Sequence, residues 1–171
     1  MSFVYLDTET TSLDFVGGEV WEIALAVDDR PIQSAIVAHS LEHANPDSLR
    51  IGGHDTRCPA SSNGGHPSDD YWGFEVDLQN VLTDRTLVGA NPSFDATFLR
   101  LRWGHAPWKY RLLDIEAFAM PGLGLHEPRG LAYIAEALGV QAPDHTAAGD
   151  VHTLRECHRE LLDLYNLSEG K

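Results

Sequence analysis

Three strand patterns follow one another near the start of the chain, and this run constrains the fold more than any other feature of the sequence. The segments FVYL (3–6), EVWEIALAV (19–27) and IQSAIVAH (32–39) are rich in apolar and β-branched residues, with only short turns between them. Strands joined by short turns pair antiparallel to each other. The sequence therefore predicts an antiparallel group of three strands at the beginning of the fold.

Helices and strands alternate in the second half of the chain. Further strands are predicted at TLVGA (86–90) and YRLLDI (110–115). Helices are predicted near Phe74–Leu82, from about Pro92, around Ile115–Ala119, over 130–140 with an end at Gly139, and over about Ala147–Tyr165. Three antiparallel strands followed by alternating helices and strands predict an α/β fold with a mixed five-stranded sheet flanked by helices. The 171 residues are expected to form a single domain, 1–171.

The segment His39–Trp72 interrupts this regular pattern. It is rich in Gly, Pro, Ser, Asn and Asp, and a loop of this length in a compact domain is usually functional. We expect it to border or cover the functional site, since its composition buries little apolar surface. Its potential zinc ligands are His39, His43, His54, Cys58 and His66. Their spacings fit no standard zinc pattern, so a loop without zinc is the preferred interpretation.

Two acidic residues, Asp7 and Glu9, directly follow the first apolar run. Alternation along a strand places them on one face, about 7 Å apart. Like charges held this close repel each other unless protons or a cation compensate them. The second such pair, Asp114 and Glu116, is interpreted differently, with Asp114 as a helix cap.

Two further carboxylates are placed where they can join the first pair. Asp95 follows a predicted strand at the start of a helix, and Asp150 lies near the start of the last helix, with His145 in the loop before it. Taken singly, an acid at a helix start is explained by the helix dipole. Four carboxylates at one edge of a sheet would instead require divalent cations, and hard oxygen ligands favour Mg²⁺ or Mn²⁺.

The motifs DTE (7–9), NPSFD (91–95) and HTAAGD (145–150), in this order, resemble the three exonuclease motifs of the DEDDh (DnaQ-like) 3'-5' exonuclease family. The resemblance spans almost the whole chain except the segment 39–72, and it implies a ribonuclease H-like fold. One departure is Ser12, which stands where many members of the family carry glycine. Because serine is small, a slight change in that turn is expected rather than a loss of activity.

The resemblance also implies the role of each site residue. The implied catalytic residues are Asp7, Glu9, Asp95, His145 and Asp150. The four carboxylates among them would hold two Mg²⁺ or Mn²⁺ ions, with Asp7 bridging both. His145 would take the proton from the attacking water, and a histidine side chain titrates in the range that suits a general base. The implied substrate-binding residues are Thr8, Thr10, Leu13, Asn91 and Phe94. For Leu13, an ordinary core leucine is an equally good interpretation.

The predicted function is that of a metal-dependent 3'-to-5' exonuclease that releases nucleoside monophosphates. The stretch DTETT (7–11) resembles proofreading DNA exonucleases more than oligoribonucleases, so the 3' end of DNA is preferred over that of RNA. The alternatives are an exoribonuclease or oligoribonuclease of the same family, or an inactive nucleic-acid-binding module on this fold. A zinc-stabilised interaction protein is a third alternative. The presence of all five catalytic positions argues against the inactive module.

The net charge of −14 argues against a broad surface for nucleic acid, because phosphate neutralisation drives such binding. Processivity would then need a partner such as a polymerase. The segment RLRWGHAPWKYR (100–111) combines basic and aromatic residues and is an alternative contact for a strand. The preferred interpretation is a set of cations at a helix end with the aromatic rings packed beneath them.

Three features of the sequence favour a cytoplasmic location without a membrane partner. The first strand pattern begins too early to leave room for a signal peptide. No apolar run has the length that spans a bilayer. The two cysteines, Cys58 and Cys157, give no disulfide framework and are expected to be structural thiols in a reducing compartment.

Overall fold

The computed structural model describes residues 2–58 and 71–168, and these residues form five strands and seven helices. The strands are β1 (Phe3–Thr10), β2 (Val20–Val27), β3 (Gln33–Ile36), β4 (Thr86–Gly89) and β5 (Leu113–Asp114). The helices are α1 (Pro46–Ile51), α2 (His54–Arg57), α3 (Tyr71–Leu82), α4 (Pro92–Trp103), α5 (Ile115–Leu123), α6 (Leu131–Leu138) and α7 (Ala147–Ser168).

The strands form one mixed sheet in the order β3-β2-β1-β4-β5. The pairs β1–β2 and β2–β3 are antiparallel, as the short turns between them predict. The pairs β1–β4 and β4–β5 are parallel, because a helix-containing connection returns the chain to the same end of the sheet. The prediction of a mixed five-stranded α/β sheet flanked by helices is confirmed.

Helices cover both faces of the sheet because side chains of β1 and β2 alternate between two apolar cores. Val4 and Leu6 pack with Leu82 of α3 and Leu99 of α4 on one face. The opposite core contains the following side chains: Tyr5, Ala24, Ala26, Ile115, Ile134, Val151 and Leu154. The long helix α7 therefore lies across the face to which odd-numbered residues of β1 point.

Several strand and helix bounds differ from the predicted ones. β1 continues to Thr10 because β2 pairs with its acidic end. The edge strands β3 and β5 are shorter than the apolar runs that predicted them, since each has a partner on one side only. α5 extends past Ala119 to Leu123 and is capped by Gly124 in a left-handed conformation (φ 64°). Asp114 accepts a hydrogen bond from the N–H of Glu116, which confirms its prediction as a helix cap.

The first part of the segment predicted as irregular contains two short helices, α1 and α2. Asn45 caps α1 by accepting hydrogen bonds from the N–H groups of Asp47 and Ser48. α3 begins at Tyr71, three residues before its predicted start at Phe74. Residues 59–70 of this segment lie outside the described part of the chain. Among the helices of residues 2–58 and 71–168, none has the length and apolar character needed to cross a bilayer.

Candidate active site

Asp7 and Glu9 lie within β1 rather than after it. β2 pairs along the acidic segment, with Asp7 opposite Ala24 and Glu9 opposite Glu22. Alternation puts both acids on the face that carries Tyr5 and is covered by α7. β4 pairs with β1 only as far as Tyr5. Both carboxylates therefore lie beyond the end of the neighbouring parallel strand, where the sheet is open to other groups.

Asp95 reaches the end of β1 that carries Asp7 and Glu9 from α4, a helix that begins just after β4 ends. Asn91 precedes the helix in a left-handed conformation (φ 56°), and Pro92 occupies the first turn. Asp95 is only 4% exposed. Oγ1 of Thr8 donates a 2.7 Å hydrogen bond to Oδ1 of Asp95. This bond ties the carboxylate of α4 to the strand that carries the first two acids.

Asp150 and His145 lie at the N-terminal end of α7. Oδ1 of Asp150 accepts hydrogen bonds from the backbone N–H groups of Asp144 (3.0 Å) and His145 (3.2 Å). His145 is exposed and has a left-handed backbone (φ 60°), so the chain turns sharply just before the helix. The carboxylate of Asp150 thus holds the loop that carries His145.

The four predicted carboxylates are close enough to perturb one another. Burial, followed by repulsion from Asp95, Asp150 and Glu9, raises the pKa of Asp7 well above its usual range. Burial, followed by repulsion from Asp150 and Glu22, raises the pKa of Glu9 from 4.5 to about 7. Such a group of acids is stabilised either by protons or by cations. The structure brings the predicted acids together, and their roles in catalysis remain a prediction.

Hydrogen bonds favour the charged form of Asp95 and Asp150, which is the form that a cation requires. Burial is the main cause of a raised pKa at both residues, and it takes the pKa of Asp95 to about 7. The hydrogen bond from Thr8 opposes the rise at Asp95, and the N–H groups of Asp144 and His145 oppose it at Asp150. Donors that point at a carboxylate stabilise its charged form. They also orient its oxygens.

Two residues at the site were not predicted from the sequence, Glu22 and Arg57. Glu22 is buried opposite Glu9 and accepts a hydrogen bond (3.1 Å) from the N–H of Ala147. Arg57 forms an ion pair with Glu22 and donates to the carbonyl of His145 at 3.3 Å. Its positive charge opposes the rise in the pKa of Glu9. The sequence feature that could have identified Glu22 is its position as a single acid within an apolar strand. A carboxylate is rarely buried unless it is paired, so such an acid indicates a partner nearby.

The described part of the segment 39–72 packs against the carboxylates. The backbone at Gly52 passes so close to Glu9 that a Cβ there would lie 2.7 Å from Oε2 of Glu9. Arg57 of α2 reaches Glu22 and His145 from the same side. Gly52 and Arg57 therefore border the acids of the candidate site, and the expectation that this segment borders or covers a functional site remains a prediction. Residues 59–70, to which the same expectation applied, lie outside the described residues.

Three of the predicted substrate-binding residues come from β1 and the turn after it. Thr8 and Thr10 are buried. Leu13 is 72% exposed. The alternative interpretation of Leu13 as a core leucine is therefore wrong. Its contact with a nucleotide remains a prediction.

The other two predicted substrate-binding residues belong to the start of α4. Oδ1 of Asn91 accepts a 2.7 Å hydrogen bond from Oγ of Ser93, so this side chain already has a partner within the protein. Phe94 is half-buried between Phe15 and Phe98, with ring centroids 5.6 and 4.9 Å away. Phe15 was not predicted, although it adds an aromatic edge beside the exposed turn after β1.

The segment 100–111 contains both packed and exposed groups. Trp103 and Trp108 pack against each other with centroids 6.3 Å apart, and Arg102 forms an ion pair with Glu75. These contacts agree with the preferred interpretation of aromatic rings packed beneath basic residues. Tyr110 differs, since its ring is largely exposed.

The stability of the metal-free protein is expected to fall as pH rises. Glu9 and Asp95 have a pKa of about 7 when folded, against ordinary values of 4.5 and 3.8. The folded protein therefore binds more protons than the unfolded one within this window, so stability present at low pH is lost as pH rises through about 7. We expect the melting temperature in EDTA to fall by several degrees from pH 5 to pH 8, since about 1 kcal/mol corresponds to about 2–4 °C at this size.

Comparing the melting temperatures with and without Mg²⁺ isolates the contribution of the carboxylates to the pH dependence of stability. Burial lowers the pKa of His54 and His158, so these two residues make the protein more stable as pH rises. This effect is the same with and without Mg²⁺. The rise in melting temperature caused by Mg²⁺ should therefore be large at pH 8 and small at pH 5, as scanning calorimetry would show. An equal rise at both pH values would contradict the predicted repulsion among the acids.

Comparisons with known proteins identify the fold. No protein-family model matches the sequence, and no curated protein matches it. Solved structures of exonuclease I do match. A product-bound structure has a TM-score of 0.70 and 16% identity, and the match covers 97% of this chain and 45% of that one. The zinc-bound complex of E. coli exonuclease I with single-stranded DNA has a TM-score of 0.70 and 14% identity, with coverage of 97% and 42%.

A third structure of exonuclease I, which is described as suggesting how processivity is achieved, has a TM-score of 0.71 and 16% identity over 97% of this chain and 42% of that one. At these identities the likeness concerns the fold. The chain thus has the ribonuclease H-like α/β fold that was expected, and it spans less than half the length of these neighbours.

Proposed function

We propose that this protein is a metal-dependent 3'-to-5' exonuclease that acts on DNA. The observation that carries the proposal is the convergence of Asp7, Glu9, Asp95 and Asp150 beside His145. Their mutual effect on pKa values is hard to reconcile with a structural role, since acids without cations destabilise the fold at neutral pH. The three motifs in the sequence and the fold shared with exonuclease I support the same function.

The donor set of the site fits Mg²⁺ or Mn²⁺. All four ligands are carboxylates, and hard oxygen donors suit these ions better than they suit softer metals. Asp7 would contact both ions, since it interacts with each of the other three acids. Glu9 and Asp150 would complete one site, and Asp95 would support the other. Two ions would also offset the charge that raises the pKa of these groups.

Each protein group has a part in the proposed hydrolysis. When bound, the divalent ions supply Lewis acidity that lowers the pKa of water and stabilises charge on the phosphate. His145 accepts the proton of the attacking water, and its exposed position leaves it accessible to that proton. Asp150 fixes the backbone of His145, and Arg57 holds the carbonyl of the same residue. The backbone of the base is therefore held through both peptide groups that flank it.

The exposed turn after β1 is the proposed contact for the terminal nucleotide. Leu13 and Phe15 are exposed there, and Phe15 packs on Phe94. Apolar and aromatic side chains favour bases, which present a stacking face whatever their identity. The exonuclease I structures in complex with single-stranded DNA support DNA as the substrate. The polymerase partner predicted from the sequence has no support among the solved structures above and remains a prediction.

The deciding experiment follows oligonucleotides labelled at the 5' end. Single-stranded DNA and RNA of the same sequence are incubated with the protein in Mg²⁺ and in EDTA. We expect DNA to shorten from its 3' end in Mg²⁺ only, with release of nucleoside monophosphates. Faster shortening of RNA would identify an exoribonuclease instead. Intact substrates in both Mg²⁺ and Mn²⁺ would contradict the proposed function.

The isolated chain is expected to degrade DNA distributively. With 12 basic residues and a net charge of −14, it neutralises few phosphates, so counterion release adds little affinity and binding should depend only weakly on salt. A strand held mainly at the catalytic centre dissociates often between cleavages. The test adds excess unlabelled strand after digestion of a labelled strand has begun, and shortening of the labelled molecules should then stop.

Continued shortening of the same labelled molecules to their ends would contradict this prediction. The exposed part of the segment 100–111 would then be the first surface to test, beginning with Tyr110. The exonuclease I structure that is described in relation to processivity provides a useful comparison.

A further inference from the structure

Three potential metal ligands meet in residues 39–58, at a cluster that contains none of the four carboxylates of the candidate active site. His39 follows β3, His54 begins α2, and Cys58 follows α2. Their exposed fractions are only 8%, 4% and 4%. One ligand atom of each residue lies within 4.8 Å of those of the other two. The sequence spacing predicted no zinc site, because the chain reaches this cluster through an irregular path.

The hydrogen bond of His39 leaves its other nitrogen available for a metal. Nδ1 of His39 lies 2.7 Å from the carbonyl oxygen of Val37. A carbonyl only accepts hydrogen bonds, so Nδ1 carries the proton and Nε2 of the neutral ring carries a lone pair. A histidine whose far nitrogen donates to a backbone carbonyl is the usual arrangement of a metal ligand. Nε2 of His39 points at His54.

The second imidazole has a buried nitrogen that makes no hydrogen bond within residues 2–58 and 71–168. Nε2 of His54 lies 2.8 Å from Nε2 of His39, so without a metal it must donate the proton they share. Nδ1 of His54 is then an acceptor, and although it is buried it has no hydrogen-bond partner among the described residues. The nearest oxygen of Asp55 is 3.8 Å away, beyond hydrogen-bond distance. Buried polar atoms rarely remain unpaired.

A metal between the two Nε2 atoms removes this defect. The proton of His54 moves to Nδ1, which then faces the carboxylate of Asp55, and Nε2 becomes a ligand. This pairing of carboxylate, histidine and metal is common. Burial and the neighbouring His39 lower the pKa of His54, which favours the neutral ring that a metal needs. The proton of the Cys58 thiol is released to solvent as the thiolate binds.

We propose that His39, His54 and Cys58 bind one zinc ion. Two imidazoles and a thiolate are the ligand types that zinc prefers, and water can fill the remaining position of a tetrahedral site. Zinc–ligand bonds of about 2.0–2.3 Å place ligand atoms about 3.3–3.8 Å apart. The two nitrogens must therefore separate by about half an ångström, and the sulfur, now within 4.8 Å of both, must lie about 3.3–3.8 Å from each of them.

The zinc ion would fasten α2 to the sheet beside the active site. His54 packs edge-on against Trp21 of β2, with ring centroids 5.1 Å apart. Arg57 lies between two of the ligands in sequence, stacks over Trp21 at 5.0 Å and pairs with Glu22. Zinc would thus fix the helix that carries Arg57 without taking part in the reaction.

The test uses Co²⁺ as a spectroscopic substitute for zinc in the full chain. Protein freed of metal with a chelator is titrated with Co²⁺ in excess Mg²⁺, which occupies carboxylate sites. A thiolate bound to Co²⁺ gives a charge-transfer band in the near ultraviolet, and carboxylates give none. We expect this band to saturate at about one equivalent, and added zinc to abolish it because zinc binds more tightly.

Variants assign the band to the proposed ligands. Cys58→Ser should lose it and His54→Ala should weaken it strongly. Cys157→Ser, which changes the other buried cysteine, and Asp7→Asn, which changes the acidic cluster, should retain it. The absence of the band in the unaltered protein, or its survival in Cys58→Ser, would overturn the proposal. These outcomes do not depend on nuclease activity.

If Cys58→Ser does not fold, a second measurement tests whether Cys58 is a zinc ligand. X-ray absorption at the zinc edge of the zinc-loaded unaltered protein should show a sulfur neighbour at about 2.3 Å. A shell of nitrogen and oxygen alone would overturn the proposal, because the acidic cluster contains no sulfur.

Discussion

Replacing Asp7 with asparagine is expected to reduce exonuclease turnover by about 10³-fold or more, since a Lewis-acid metal site contributes several kcal/mol of transition-state stabilisation. Asp7 interacts with Glu9, Asp95 and Asp150, so it is the residue whose loss disturbs both proposed metal positions. Asparagine keeps the size of the side chain and removes the charge. Turnover is measured on labelled single-stranded DNA in saturating Mg²⁺.

The same variant should be more stable than the unaltered protein when metal is absent. Because neighbouring acids raise the pKa of Asp7, its ionised form costs stability at pH 8, and asparagine removes this cost. Addition of Mg²⁺ should raise the melting temperature of the unaltered protein and have little effect on the variant. A loss of activity together with a lower melting temperature in EDTA would indicate damage to the fold instead.

Asp77→Asn is a matched control for this experiment. Asp77 is an exposed acid of α3, so its replacement changes the net charge by the same amount away from the site. It should leave both turnover and the Mg²⁺-dependent rise in melting temperature unchanged. Full turnover in Asp7→Asn protein of verified sequence would rule out the proposed mechanism.

Replacing His145 with asparagine should lower turnover by about 10²-fold, the usual contribution of a general base. His145 has a left-handed backbone (φ 60°), and asparagine tolerates this conformation better than alanine does. The N–H that donates to Asp150 is retained because it belongs to the backbone. The Mg²⁺-dependent rise in melting temperature should therefore survive. That result would separate the loss of a base from the loss of a metal site.

Chemical rescue provides a second readout for His145. Added imidazole should partly restore turnover in His145→Gly, because it supplies the proton acceptor that this variant lacks. His126→Asn, an exposed histidine between α5 and α6, is the matched control. An equally large loss of metal affinity in His145→Asn would assign His145 another role.

The sequence by itself was sufficient for the fold class and for four acids of the candidate site, although not for Glu22. Periods of two and of 3.6 residues are local properties of the chain, so they predicted the order of strands and helices. Asp7 and Glu9 share a face because they are two residues apart. Pro92 in the first turn of α4 and Gly139 after α6 mark helix ends through backbone restrictions that belong to single residues.

Strand lengths and the surroundings of the acids were decided by tertiary contacts. β1 extends to Thr10 because β2 supplies hydrogen-bond partners beyond the apolar run. Glu22 joins Glu9 only through that register, and Arg57 reaches Glu22 from a part of the chain without regular pattern. Likewise, His39, His54 and Cys58 become neighbours only when α2 packs on β2. Contacts between residues distant in sequence depend on how the whole chain packs, and no local pattern encodes which side chains then meet.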